Sequence, residues 1–196
     1  MIKSVVFDWG GVLIEDPSVK IYDYCAAALS VSQKDFINVY EQFAPEFQKG
    51  TISEDLLLEH ICSVLHITKP TQSSLWEDAF RHSYEENTET FNLASRLKKN
   101  GFRIGLLSNT EAPAMRFFHE QQYPMFDVTV FSCAEGTRKP EERIYKILLQ
   151  RLQLQPDEVL FIDDNMEYTL AAAQVRINTI LFKNHQQLRQ ALTSFI

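Results

Sequence analysis

Five short runs of apolar, mostly β-branched residues constrain this chain most, at 4–7, 103–107, 128–131, 159–162 and 179–182. They read as nearly continuous apolar segments rather than as alternations. That pattern predicts strands of a parallel sheet covered on both faces. Helical patterns at 113–121, 140–152 and 167–175 separate the last four runs. Pro140, with Glu141 and Glu142 beside it, suits the positive end of a helix dipole. The alternation predicts an α/β fold: a Rossmann-like, doubly wound parallel sheet with helices on both faces.

Between the first two runs the pattern changes, and no strand is evident. Ser32 and Asp35 mark a helix start, after which Phe36, Val39, Tyr40 and Phe43 fall on one face. Ser53 precedes a second stripe of Leu57, Ile61, Val64 and Leu65, and Trp76, Phe80 and Tyr84 form a third. Stripes at this spacing pack into a core. A helix near 93–99, with Lys98 and Lys99 at its negative end and Gly101 as its stop, leads back to the sheet. The expected organisation is an α/β core of residues 1–15 and 88–196, with an α-helical cap of residues 16–87 inserted after the first strand.

A chain of 196 residues that is 45% hydrophobic can fill a sizeable core. Its net charge of -7 argues against a nucleic-acid partner. Three cysteines, Cys25, Cys62 and Cys133, without a paired motif predict free thiols and a cytoplasmic setting. The apolar run before Asp8 is too short for a leader peptide, and no stretch is long enough to span a membrane. The five histidines show no metal-ligand spacing.

In a parallel sheet the loops at the carboxyl ends of the strands converge on one crevice. Asp8 would stand there after the first strand, and Ser108, Asn109 and Thr110 after the second. Arg138 and Lys139 lie in the loop after the third, and Asp163 and Asp164 follow the fourth. Three carboxylates in one place repel each other unless a cation joins them, and Mg²⁺ prefers oxygen ligands. A lysine, a hydroxyl and turn amides are equipment for holding a phosphoryl group. A carboxylate can also attack phosphorus. The residues therefore point to phosphoryl transfer.

FDWGGVL, LLSNT, RKP and FIDDN resemble, in order and spacing, the four motifs of the haloacid dehalogenase superfamily. The helical insertion lies where that family places a type-one cap, and the match covers essentially the whole chain. The chain is most similar to the sugar-phosphate phosphatases and the amino-terminal domain of soluble epoxide hydrolase. The resemblance implies a Mg²⁺-dependent phosphohydrolase acting on a small phosphorylated metabolite, sugar phosphates included, as a monomer. Asp8 would be nucleophile and metal ligand, and Ser108 and the Asn109 amide would hold the phosphoryl group. Lys139 would neutralise charge, and Asp163, Asp164 and the Gly10 carbonyl would complete the metal site.

One departure bears on chemistry. The family's acid–base aspartate, two residues after the nucleophile, is here Gly10. Positioned acid–base groups contribute about 10²–10⁴ in rate. A leaving group that needs little protonation, or another proton donor, would fit this change. Two other readings stay open: a weakly active relative that binds rather than turns over, and a dehalogenase. A smaller departure is Arg176, where relatives often carry glycine. Trp9 is a candidate for the cap side of the crevice, and Phe43, Phe47 and Lys49 are candidates for touching substrate.

Overall fold

The computed structural model describes residues 1–195. Five strands, β1 (Ser4–Phe7), β2 (Arg103–Ser108), β3 (Val128–Phe131), β4 (Val159–Asp163) and β5 (Asn178–Leu181), form one sheet. All neighbours are parallel, in the order β3-β2-β1-β4-β5. Successive side chains of β1 point to opposite faces. Val5 and Phe7 join one apolar cluster, with Ile104, Leu106, Leu160 and Ile162. Val6 joins the other, with Leu107, Val130, Val159 and Phe161. Both faces are therefore buried, which is why the strands carry no polar alternation.

Helices α6 (Thr88–Lys99), α7 (Ala112–Glu120) and α11 (His185–Leu192) cover the first face with Phe91, Phe117, Phe118 and Leu188. Helices α9 (Glu142–Leu152) and α10 (Met166–Gln174) cover the second with Ile144, Tyr145, Leu148 and Ala172. A one-turn helix, α8 (Ser132–Glu135), follows β3 directly.

Between β1 and α6 lie only helices: α1 (Ser18–Leu29), α2 (Gln33–Tyr40), α3 (Ala44–Gln48), α4 (Glu54–Leu65) and α5 (Leu75–Ser83). Ser32, Ser53 and Ser74 cap α2, α4 and α5, each accepting a backbone N–H three residues on. The chain leaves and re-enters the sheet region side by side. Glu15 N–H donates to Glu85 O at 2.9 Å, and Asn87 N–H to Leu13 O at 2.9 Å. The insertion rests on the sheet region through α5 against α7 and α3 against α8. At the second contact Gly50, with φ +68°, comes so close that a Cβ would stand 2.3 Å from Cys133 O.

Some boundaries differ from the sequence reading. The last strand begins one residue earlier, at Asn178. The helix expected from residue 140 starts at Glu142, because the Glu141 backbone is extended and stands before the first turn. Val64 is half exposed rather than in the core stripe. The helices α1 and α11 lie outside the patterns read from the sequence. Arg176 has φ +67°, the backbone region where glycine sits without a steric cost. All three cysteines are free. No helix among the described residues is long and apolar enough to cross a membrane.

Candidate active site

The register assembles the site. Phe7 pairs with Leu106 on one side and Ile162 on the other. The next residues on β1 and β4 therefore emerge at the same edge, where Asp8 stands beside Asp163, and Ser108 ends β2 at that edge two residues past Leu106. Asp8 N–H donates to Ile162 O at 2.9 Å, which carries the ladder one step further.

Lys139 reaches this edge from the loop after α8. Its ammonium is fully buried and lies 2.8 Å from Asp8 Oδ2 and 2.6 Å from Asp163 Oδ2. The rings of Phe161 and Tyr168 flank it, with centroids 5.4 and 5.0 Å away. Asn109 fixes the lysine's backbone from both sides. Its side-chain amide donates to Lys139 O at 2.9 Å, and its Oδ1 accepts the Lys139 N–H at 2.8 Å. The other Asp8 oxygen accepts the Trp9 N–H at 2.7 Å, and Asp163 Oδ1 accepts the Asn165 N–H at 2.8 Å. The Ser108 and Thr110 hydroxyls are buried and hydrogen-bonded to each other.

Burial pushes the Asp8 carboxyl well above the usual carboxylate range. The Lys139 charge pulls it back, and Asp163 and Asp164 push it up again. Asp164 is also raised, first by burial and then by Asp163. Burial works against the Lys139 ammonium, but Asp8 and Asp163 outweigh it and hold its pKa above that of an ordinary lysine. One lysine thus faces three carboxylates, which leaves the cluster short of positive charge.

That shortage, with the donor geometry, is the test of whether a cation fits. Asp8, Asp163 and Asp164 each offer an oxygen, and these oxygens lie within 4.8 Å of one another. Gly11, with φ +78°, leaves Asp164 its room: a Cβ there would stand 2.2 Å from Asp164 Oδ2. An all-oxygen set of this kind suits a hard divalent cation.

A cavity of about 260 Å³ opens over this cluster. Asp8, Gly10, Ser108, Asn109 and Asp164 line it from the sheet side. Trp9, expected on the cap side of the crevice, also lines it and packs against Phe80 of α5 at 5.0 Å between centroids. Lys139 and Asp163 lie behind Asp8, held by the ion pairs. Asp8, Gly10, Ser108, Asn109, Lys139, Asp163 and Asp164 therefore meet at this place.

The substrate-contact candidates in the insertion fare differently. Phe47 is buried against Trp76, Lys49 pairs with Glu141 at 2.5 Å, and Phe43 stacks on His60. None of them lines the cavity. Their neighbour Gln48 does, held by the bond from Ser132 Oγ to its carbonyl at 2.6 Å. Sequence reasoning also missed Tyr22, Tyr40, Trp76 and Glu111 as wall residues. Tyr40 and Trp76 carried only a packing signal, and Glu111 looked like an ordinary acid at a helix start.

A family model for haloacid dehalogenase-like hydrolases matches residues 2–176. The chain belongs to this family. The mouse Acyl-CoA dehydrogenase family member 10 is 30% identical over 91% of this hydrolase, which spans only 18% of that longer protein. The D-ribitol-5-phosphate phosphatase of Bacteroides thetaiotaomicron is 24% identical, over 98% of each chain. Among solved structures, a family enzyme of the same bacterium, in complex with magnesium and inorganic phosphate, superposes with a TM-score of 0.74. It is 21% identical, with 93% of this chain and 95% of that one covered.

Proposed function

We propose that this hydrolase is a Mg²⁺-dependent phosphatase that cleaves the monoester of a small phosphorylated metabolite through an aspartyl-phosphate on Asp8. The observation that carries the reading is the buried Lys139 ammonium held between Asp8 and Asp163, with a third carboxylate, Asp164, within ligand reach. The magnesium and phosphate bound by the similar bacterial enzyme, and the phosphatase activity named for the ribitol-phosphate relative, support it.

Asp8, Asp163, Asp164 and the Gly10 carbonyl would hold Mg²⁺, which when bound supplies positive charge to the phosphoryl oxygens and relieves the carboxylate repulsion. The chain's own groups do the rest. Lys139 keeps Asp8 ionised and in place. The Ser108 hydroxyl and the Asn109 amide hold phosphoryl oxygens. An Asp8 oxygen attacks phosphorus as the bond to the ester oxygen breaks, and that bond's electron pair leaves on the ester oxygen, which takes a proton from solvent. Water then attacks the same phosphorus. The bond to Asp8 breaks and its electrons return to the carboxylate; one of the water's protons stays with the phosphate and the other returns to solvent, replacing the one the alcohol took. The net reaction consumes one water.

Gly10 favours one alternative, a family member that binds its ligand but turns over slowly. Phosphate release from an aryl phosphate and a panel of alkyl and sugar phosphates, with Mg²⁺ and with chelator, separates the two. Metal-dependent release that vanishes in Asp8→Asn supports the phosphatase. Binding of Mg²⁺ and phosphate without release from any compound contradicts it. Release that persists with chelator would point to metal-free chemistry.

A further inference from the structure

The wall facing the carboxylate cluster has its own chemistry. Glu111, just before α7, is 8% exposed and lines the cavity. Its Oε1 accepts the Tyr40 hydroxyl and its Oε2 the Trp76 indole N–H, both at 3.3 Å, and the Gln48 side-chain amide also bonds to it. All three side-chain donors are neutral, and all come from the helical insertion. Among the described residues no lysine, arginine or histidine pairs with Glu111. Its side chain does not cap α7 either, since it makes no capping hydrogen bond. A buried carboxylate without a cation is costly, so something should repay it.

The surroundings say what. Tyr40 stacks on Trp76 with centroids 4.9 Å apart, Tyr22 lies 5.4 Å from Tyr40, and all three line the cavity with Phe80. No basic side chain lines it, whereas a further carboxylate, Asp16, does. Aromatic faces beside a carboxylate are the surroundings in which an ammonium is held. An apolar tail placed here would strip Glu111 of water and return nothing.

Building on the phosphatase reading, we propose that the substrate is an aminoalkyl phosphate monoester, its ammonium held by Glu111 among the aromatic rings of Tyr22, Tyr40 and Trp76. The proposal also bears on Gly10. An ammonium near the ester oxygen withdraws electrons and makes the alcohol a better leaving group, so less is asked of a proton donor. Glu111 is then a specificity-determining residue. A purely mechanical role, tying α2 and α5 to α7, would affect all substrates alike.

The first test uses the unmodified protein. Choline is compared with its uncharged isostere, carbon in place of nitrogen, as an inhibitor of aryl phosphate hydrolysis in saturating Mg²⁺. Choline should inhibit at concentrations about tenfold lower or more. Next, kcat/KM for phosphoethanolamine and phosphocholine is compared with that for glycerol phosphate in the unmodified protein and in Glu111→Gln. The ammonium compounds should be preferred by about tenfold or more, and the variant should lose most of that preference. Equal inhibition by choline and its isostere overturns the proposal, as does a preference for glycerol phosphate or an unchanged ratio in Glu111→Gln. In each of those cases aryl phosphate hydrolysis leaves the phosphatase reading standing. If no aryl phosphate is hydrolysed, the phosphatase reading fails by itself. Calorimetric binding of phosphocholine against its carbon isostere then decides the ammonium site, and equal or absent binding overturns it.

Discussion

The two walls of the cavity are built on opposite plans. The sheet-side wall sets charge against charge: a fully buried lysine 2.6–2.8 Å from two carboxylates, backed by a third. The insertion-side wall sets a carboxylate against neutral donors and aromatic rings. In the first wall the chain supplies most of the compensation itself. In the second it supplies only neutral hydrogen-bond donors. A wall that sets a lysine among carboxylates is equipment for a reaction, and one that faces a carboxylate with neutral groups alone is equipment for a particular visitor.

Removing the balance on the first wall should have the largest consequence. Lys139→Met leaves Asp8 and Asp163 facing each other in a buried place, and unpairing a buried ion pair costs about 3–5 kcal/mol. Denaturant unfolding in the presence of chelator should show a loss of that size, together with loss of turnover. A variant as stable as the parent would mean that the cluster is already relieved by other means.

Gly10→Asp sharpens the contrast from the other direction. A Cβ at Gly10 meets only Pro17 Cδ, at 3.5 Å, and the backbone is not in the left-handed region, so the fold should accept the aspartate. Simple alkyl phosphates with poor leaving groups should then be hydrolysed about 10²-fold faster, the lower part of the range for positioned acid–base groups. Aryl phosphates should gain little. Folded protein without gain on alkyl phosphates would mean that another group already moves the proton.

A smaller effect is expected with pH. Asp8 and Asp164 have raised pKa values, so in the absence of metal they take up protons at a pH above the usual carboxylate range. Metal needs them ionised, so protons and Mg²⁺ compete. Apparent Mg²⁺ affinity should fall as pH falls through those raised values. The acid limb of activity should therefore move to lower pH as Mg²⁺ is increased. A limb indifferent to Mg²⁺ concentration would place the titration elsewhere.

Smallest of all, Arg176→Gly relieves a left-handed residue on the exposed turn before β5. The strain removed is about 1–2 kcal/mol, and glycine's extra unfolded freedom takes back about 0.5–1. Thermal unfolding should show no change or a gain of up to about 1.5 kcal/mol, with activity untouched.

The same contrast explains what the sequence disclosed. The sheet-side wall is made of residues one step past apolar strands, and in a parallel sheet such residues must meet at one edge. Asp8, Ser108, Asp163 and Asp164 were legible for that reason, and Lys139 through the company it keeps. The insertion-side wall depends on which way a helical aromatic faces. Tyr40 and Trp76 sit in stripes that would look the same if they only packed a core, as Phe36 and Phe47 do. Gln48, rather than Lys49 beside it, reaches the cavity because Ser132 holds its carbonyl and Gly50 lets the loop close on Cys133. No local pattern encodes contacts between residues that far apart. Glu111 follows the same rule, since only the docking of α2 and α5 buries it.

The central claim is that Asp8 is phosphorylated in turnover, and it can be met directly. Protein mixed with a readily cleaved aryl phosphate and Mg²⁺ is quenched in acid within a single turnover and its peptides are weighed. The account predicts the mass of one phosphoryl group on the peptide carrying Asp8, absent with chelator and in Asp8→Asn. Phosphate released at full rate while that peptide never gains mass would contradict it, and would leave Asp8 a metal ligand for a direct attack by water.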